Sequence, residues 1–386
     1  MKLLYIIGNI INKAGVERIM TQKINYLAKA GHIVSLITTD QDNQPFSFPI
    51  SKKVSYYAVN TPIPSRTDYS FSRWLLSYFK ARSKYIKTLD KILETIQPDI
   101  LICTTYAFDV IDLLNKLCHK HHSLLIIESH IQYINVFMGP RLAYSPILSL
   151  YAKIHDWIIL KHIRRASMLV CLTHDDMKAW NSLHVYNTCV IPNMVTIQPI
   201  DSIDYTAKRI IAVGRYSEQK GYDLLIKAWG KIAPNHTDWN LFIFGNEDRT
   251  PYEELTVSEK CKNTCHCMPV AEDIAFEYRK SSIFVMSSRY EGMPLALLEA
   301  MSSGLACVSF RCPNGPSDII NDGIDGFLAK NGDIDDLSSK IEKLICNESL
   351  RREIGMRARD SIKRYSPKAI MQENIKLYEK ILNRKS

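Results

Sequence analysis

The sequence predicts an α/β protein of two tandem Rossmann-like domains, each a parallel sheet flanked by helices. Three observations carry this. At 386 residues the chain exceeds what one hydrophobic core normally serves. Apolar strands alternate with amphipathic helices along nearly all of it, which implies parallel βαβ units. The alternation breaks once, over residues 191–203, where Pro192, Asn193 and Pro199 interrupt it before it restarts.

The first strand is Lys2–Ile7. Val16, Ile19, Met20, Ile24 and Leu27 then recur at helical spacing, and Gly31 supplies a stop. Ile33–Thr38 is the next strand, followed by Ile100–Thr104, Leu124–Ser129, Met168–Thr173 and Cys189–Pro192. Beyond the break the order is strand Ile210–Val213, helix Tyr222–Ile232, strand Asn240–Phe244 and helix Glu272–Ser281. Strand Ile283–Ser287, helix Pro294–Ser302 and strand Ala306–Phe310 follow. The domains are therefore expected at 1–195 and 196–365. Residues 366–386 form a last amphipathic helix, expected to cross back to the first domain.

Composition narrows the class. With 46% hydrophobic and 23% charged residues the chain is an ordinary globular one, and no stretch approaches the roughly 20 apolar residues of a membrane-spanning helix. The apolar start lacks a small-residue cleavage site, so it reads as a buried strand. The ten cysteines follow no disulfide framework, which fits reduced thiols and a cytoplasmic location. Cys261, Cys265, His266 and Cys267 lack the spacing of a zinc finger or ribbon, and no metal site is expected.

The charge is asymmetric. Residues 1–200 carry 22 lysines and arginines against 13 acidic residues, whereas the remainder balances at 27 against 27. The excess peaks over Arg66–Lys91, where Tyr69, Phe71, Trp74, Leu75, Tyr78 and Phe79 are interleaved with the basic residues. Cations and aromatics on one helix suit an anionic membrane surface, and equally a solvated helix with its apolar face on the core. No nucleic-acid module accompanies the charge.

Four loops can carry chemistry. Ser287–Met301 ends a strand, passes Glu291 and Gly292, and enters a helix at Pro294, a residue suited to the first helical position. The free backbone N–H groups at that helix start suit a phosphate. Glu299 is the only charged side chain of an otherwise apolar helix, so it is expected buried and hydrogen-bonded, by ribose hydroxyls or by an ion-pair partner. Val213–Gly221 leaves another strand at the edge where open α/β sheets bind ligands, and Arg215 and Lys220 can both reach one diphosphate there. Cys312–Asp318 offers a second Gly-Pro helix start. In the first domain Gly8–Glu17 joins strand to helix, and Gly15 would let a phosphate approach closely. Neither a dinucleotide glycine fingerprint nor a Walker lysine loop is present.

With these residues in place, the chain resembles the retaining nucleotide-sugar glycosyltransferases of family four, which have the two-Rossmann GT-B fold. The likeness rests on Gly214-Arg215 with Lys220-Gly221, on Glu291 and Glu299, on Gly-Pro-Ser-Asp-Ile-Ile from Gly315 to Ile320, and on Tyr365-Ser366-Pro367. It implies that Arg215 and Lys220 hold the donor diphosphate, Glu291 the transferred sugar and Glu299 the ribose. The amides of Gly292, Met293 and Gly15 would cradle phosphate beside Gly214, Pro294 and Leu295. Glu128-Ser129-His130 looks like the segment that sets a histidine beside donor sugar and acceptor. The family needs no divalent metal, in keeping with the lack of a D-x-D motif, so no cofactor is expected.

Two positions depart from the family. Ala14-Gly15 stands where paired glycines are common, and Pro192-Asn193-Met194 where Pro-Asn-Gly is usual. The expected donor is a UDP-sugar, a hexose or N-acetylhexosamine, with GDP-mannose as runner-up. The expected acceptor is a glycan or a polyprenyl-diphosphate-linked precursor of a surface polysaccharide or lipopolysaccharide. The enzyme would then sit peripherally on the inner face of the cytoplasmic membrane through its basic domain. A nucleotide-sugar epimerase on the same fold and a non-catalytic binding subunit are the rival readings.

Overall fold

A computed structural model describes residues 1–12, 14–61, 71–104, 110–130, 146–197 and 202–384. The chain divides into two compact units, Met1–Ile191 with Met371–Ser386, and Pro192–Ile370.

The first unit runs β1 (Lys2–Ile7), α1 (Gly15–Lys29), β2 (Ile33–Thr38), β3 (Ser55–Ala58), α2 (Phe71–Ile96), β4 (Ile100–Thr104), α3 (Ile111–Lys120), β5 (Leu124–Ser129), α4 (Pro146–Ile163), β6 (Met168–Cys171), α5 (His174–Ser182) and β7 (Thr188–Val190). Among the described residues its sheet has seven parallel strands in the order β3-β2-β1-β4-β5-β6-β7. Strands β1, β4 and β5 are almost wholly buried aliphatic, as a parallel sheet covered on both faces demands. α1 stops at Lys29, and Gly31 follows in the left-handed region (φ 91°), so the expected stop lies where the chain turns.

The second unit runs β8 (Arg209–Val213), α6 (Tyr222–Ile232), β9 (Asn240–Phe244), α7 (Thr250–Ser258), β10 (Cys265–Met268), α8 (Ile274–Arg279), β11 (Ile283–Met286), α9 (Leu295–Ser303), β12 (Ala306–Phe310), α10 (Pro316–Ile319), β13 (Phe327–Ala329), α11 (Ile334–Ile345) and α12 (Glu348–Ser361). Its strand order is β10-β9-β8-β11-β12-β13, again parallel, so both sheets reverse direction beside their first strand. The final helix α13 (Pro367–Asn383) passes into the first unit from Met371 onward. There the Tyr378 hydroxyl meets the Tyr5 hydroxyl of β1 at 3.1 Å in the core.

Element ends differ from the sequence reading for local reasons. α8 is shorter than expected because Asp273 caps it, its carboxylate accepting from the amides of Ala275 and Phe276. The strand expected at Cys189–Pro192 is Thr188–Val190, since proline has no amide to give the ladder. The basic, aromatic stretch forms α2 from Phe71 onward. Arg66, Asp68 and Tyr69 lie outside the described residues, as do the side chains of Phe71, Trp74 and Leu75.

Candidate active site

In the second unit the sheet order reverses between β8 and β11, so the loops leaving their carboxyl ends diverge and open a crevice. The β8 loop is fitted to it by two glycines. A Cβ on Gly214 would lie 2.9 Å from Lys220 Cε, so the lysine stem rests directly on the glycine backbone. Gly221 adopts φ 63°, and a Cβ there would lie 2.1 Å from the Ser287 carbonyl oxygen, which seats this loop against the end of β11. Arg289 laces the two loops together. Its amide donates to Gln219 O (2.8 Å) and its guanidinium forks onto Asp223 (2.8 and 2.7 Å).

Thus placed, Lys220 Nζ donates to Glu291 Oε1 at 2.7 Å, and Ser288 Oγ donates to the same oxygen at 2.5 Å. Glu291 is buried, and its amide bonds Pro313 O at 3.2 Å. The structure does not bring Arg215 to this pair. Arg215 is exposed, bonded to Gln219 Oε1 (3.2 Å) and 3.7 Å from Glu247. Glu247 in turn lines a cavity of about 520 Å³ at the carboxyl ends of β9 and β10, with Gly245, Arg249, Pro269 and Val270.

α9 begins at Leu295, and Pro294 is its N-cap, with extended backbone (φ −76°, ψ 99°), rather than its first helical residue. The ring fixes φ only, and the extended ψ keeps Pro294 outside the helix. Leu298 N–H is bonded to Pro294 O, so the amides ahead of it point out of the helix end beyond Gly292 and Met293. Glu299 lies one turn in, buried, and hydroxyls of Thr196 and Tyr278 hydrogen-bond its carboxylate. The Cys312–Asp318 loop is not a second anion-facing helix start. α10 is a four-residue turn whose Asp318 and Ile319 amides are already bonded to Gly315 O. Its role is support, because a Cβ on Gly315 (φ 99°) would strike Pro294 Cδ at 2.4 Å.

Three polar atoms on the framing segments are buried without a hydrogen-bond partner: Asn193 Oδ1, Ser217 Oγ and Tyr222 OH. Such atoms are uncommon, and a polar ligand would satisfy them. Asn193 is further held by its amide to Met293 Sδ at 3.0 Å. Of the Cys261–Cys267 group, His266 bonds Asn240 at 2.9 Å, and no metal-holding cluster occurs among the described residues.

In the first unit the end of β5 carries a buried triad. Lys23 Nζ donates to Glu128 Oε1 (2.9 Å), and His130 Nε2 meets Glu128 Oε2 (3.0 Å). Burial alone would raise the Glu128 pKa, but Lys23 and His130 overcome it and hold the carboxyl down at about 2. The His130 ring is itself closed off, 1% exposed. Glu17 is half-buried with Oε2 unbonded, and burial pushes its carboxyl up although His130 pulls the other way. Gly15 opens α1, exposed, after an Ala14 N-cap that makes no side-chain bond.

Sequence reasoning missed Lys23, Ser288, Asn193, Thr196 and Tyr278 as contributors. Lys23 had a signal, because it falls among Ile19, Met20, Ile24 and Leu27 on the apolar face of α1, where a lone lysine requires a buried partner. Thr196 and Tyr278 had none, lying 103 and 21 residues from the carboxylate they bond.

Two Rossmann-like units with an anion-facing helix start and a lysine–glutamate pair at the switch point define a nucleotide-sugar transferase of the GT-B class. Similarity to known proteins agrees. Residues 14–198 match the family model for Glycosyltransferase Family 4, and residues 196–361 that for Glycosyl transferases group 1. An uncharacterized glycosyltransferase of Haemophilus influenzae is 29% identical over 378 residues, 96% of this chain and 98% of that one. The amylovoran biosynthesis glycosyltransferase AmsD of Erwinia amylovora is 24% identical, with 96% and 98% covered. Among solved structures, S. aureus TarM in complex with fondaparinux, alpha-GlcNAc-glycerol and UDP superposes with a TM-score of 0.75 at 16% identity, covering 98% of this chain and 100% of that one. The chain belongs to the family-four glycosyltransferases.

Proposed function

We propose that the enzyme transfers a hexose or N-acetylhexosamine, with retention, from a UDP-sugar to a glycan or polyprenyl-diphosphate-linked acceptor in surface-polysaccharide synthesis. The observation that carries the reading is the Lys220–Glu291 pair, set with Ser288 beside the outward amides of α9. A diphosphate gains negative charge as the glycosidic bond breaks. Lys220 and the helix start are placed beforehand to stabilise that charge, and Arg215 joins them by turning from Glu247. Glu291 takes the sugar hydroxyls, and Glu299 the ribose in exchange for its present hydroxyl partners. Backbone from Gly214, Gly15, Gly292, Met293, Pro294 and Leu295 lines the phosphates. His130, held by Glu128 with its ring closed off, would reach the transferred sugar only once that ring is uncovered. The reaction needs no metal, because these groups supply the positive charge.

Support for UDP and an N-acetylhexosamine comes from the TarM complex, and support for a polysaccharide pathway from AmsD. The basic first domain supports a peripheral site on the inner face of the cytoplasmic membrane, with no nucleic-acid partner. Among the described residues no helix is long and apolar enough to cross a membrane. The test is thermal unfolding with UDP, with GDP and without nucleotide. At 100 times its dissociation constant UDP stabilises the fold by about 2.7 kcal/mol. Glu299→Ala should blunt that shift, whereas no shift with either nucleotide overturns the donor assignment.

A further inference from the structure

α4 leaves apolar surface uncovered. A helix packed on a sheet normally turns its apolar side inward and shows polar residues outside. Here Ala152, Ile159 and Ile163 are buried, yet on the opposite side Leu150, Ile154 and Trp157 are 62, 52 and 59% exposed, with Ile158 beside them. Their spacing of four and then three residues lines them up on one face. Single exposed apolar residues need no explanation, but a contiguous stripe marks an interaction surface.

The rim of the stripe says what it meets. Among the described side chains from 150 to 165, every other exposed position is Lys153, Lys161, Arg164 or Arg165, and no acidic one is exposed. Asp156, the acid within α4, is turned to His155 at 3.3 Å. Lys161 Nζ lies 5.1 Å from the centre of the Trp157 ring, an aromatic–cation pair of the kind found at lipid headgroups. α2 repeats the pattern, with Leu76 and Phe79 exposed near Arg73 and Lys80. Both helices follow strands of one parallel sheet, so their N-terminal halves lie toward its carboxyl edge, the edge at which such sheets bind ligands. A protein partner would favour an apolar patch depleted of lysine, which is the reverse of this rim.

We propose that the α4 stripe enters the headgroup layer of an anionic bilayer. Leu150, Ile154 and Trp157 reach the acyl boundary, and Lys153 and Lys161 meet lipid phosphates. This rests on the membrane-surface reading above and assigns the insertion to α4, outside the stretch where the basic charge peaks in the sequence. The full chain is sedimented with vesicles of phosphatidylglycerol and phosphatidylcholine, and with phosphatidylcholine alone. It is compared with Leu150→Gln/Ile154→Gln/Trp157→Gln and with Leu76→Gln/Phe79→Gln. The wild type should bind the anionic vesicles, with added salt weakening it, and the α4 variant should lose about tenfold or more in affinity. Its melting temperature and its transfer to a water-soluble acceptor should stay unchanged. If only the α2 variant loses binding, α4 is not the insertion face and the membrane reading survives on α2. If the wild type binds neither vesicle, both readings fall. If the α4 variant only turns a dimer into a monomer, the stripe is a self-interface and the proposal is overturned. Should the variant fold poorly, brominated phosphatidylglycerol supplies the second readout. It should quench the wild type and quench Trp157→Phe much less, and equal quenching overturns the proposal.

Discussion

Each unit carries a lysine–glutamate pair near the carboxyl edge of its sheet, and the two differ in what surrounds them. Lys23–Glu128 (2.9 Å) is sealed, with side chains 0 and 1% exposed, and its third member is an imidazole. Lys220–Glu291 (2.7 Å) is 17 and 7% exposed, and its third member is a hydroxyl. A sealed pair cannot part without stranding a charge away from water. An open pair can release its lysine to an incoming anion, because solvent and ligand are both within reach. The same two residue types thus hold a shape in one place and are free to act in the other, and burial decides which.

The largest effect that tests this contrast is on stability. Lys23→Met should destabilise the protein by about 3–5 kcal/mol, because Glu128 is left as a buried, unpaired carboxylate. Adding Glu128→Gln should recover most of that loss. Chemical denaturation of the single and double variants measures it, and a mild Lys23→Met would erase the distinction between the pairs. Lys220→Met should behave in the opposite way. Stability should fall by less than for Lys23→Met, because Lys220 is partly in reach of water and Ser288 still donates to Glu291. The rate of sugar transfer should fall by about 10²–10³, the usual cost of removing one group that stabilises developing charge.

Acid should separate the pairs next. Glu128 sits at about 2, below the roughly 4.3 of a free glutamate. A carboxyl depressed on folding stabilises fully above its unfolded value, and that contribution is lost as pH falls through the folded value. Between about pH 4.3 and 2 the wild type should therefore weaken more steeply than Glu128→Gln. Unfolding midpoints followed across that range give the answer, and parallel curves would show that Glu128 carries no such linkage.

Much of this was legible in the sequence, and what was not has a physical cause. Strand and helix periodicity located both sheets, because buried parallel strands such as Leu124–Ser129 read as unbroken aliphatic runs. Glu299 stood out as the lone charge of an apolar helix, and Glu291 by its place in the strand-to-helix loop and by the family resemblance. Lys220 stood out as a cation beside glycines, but its partner 71 residues away depends on how two loops are laced by Arg289 and Asp223. Arg215 illustrates the limit from the other side. Its place in the sequence beside Gly214 says nothing of a side chain that turns to Gln219 and Glu247. α4 was passed over because an all-round apolar helix reads as buried, and only packing reveals the face left bare.

The finest test of the open pair is the hydroxyl that completes it. Ser288 Oγ donates to the same Glu291 oxygen that Lys220 reaches, so it keeps that carboxylate oriented even while the lysine is engaged elsewhere. A hydrogen bond to a charged group is worth about 1.5–3 kcal/mol, so Ser288→Ala should lower kcat/KM by about ten- to a hundredfold. Ser288→Thr, which keeps the hydroxyl, should restore most of it. The loss should fall on kcat if Glu291 grips the sugar more tightly as the bond breaks, and on KM if it only binds the ground state. Should Ser288→Ala prove silent while Lys220→Met is crippled, Glu291 is held by its lysine alone. The open pair would then be as interdependent as the sealed one.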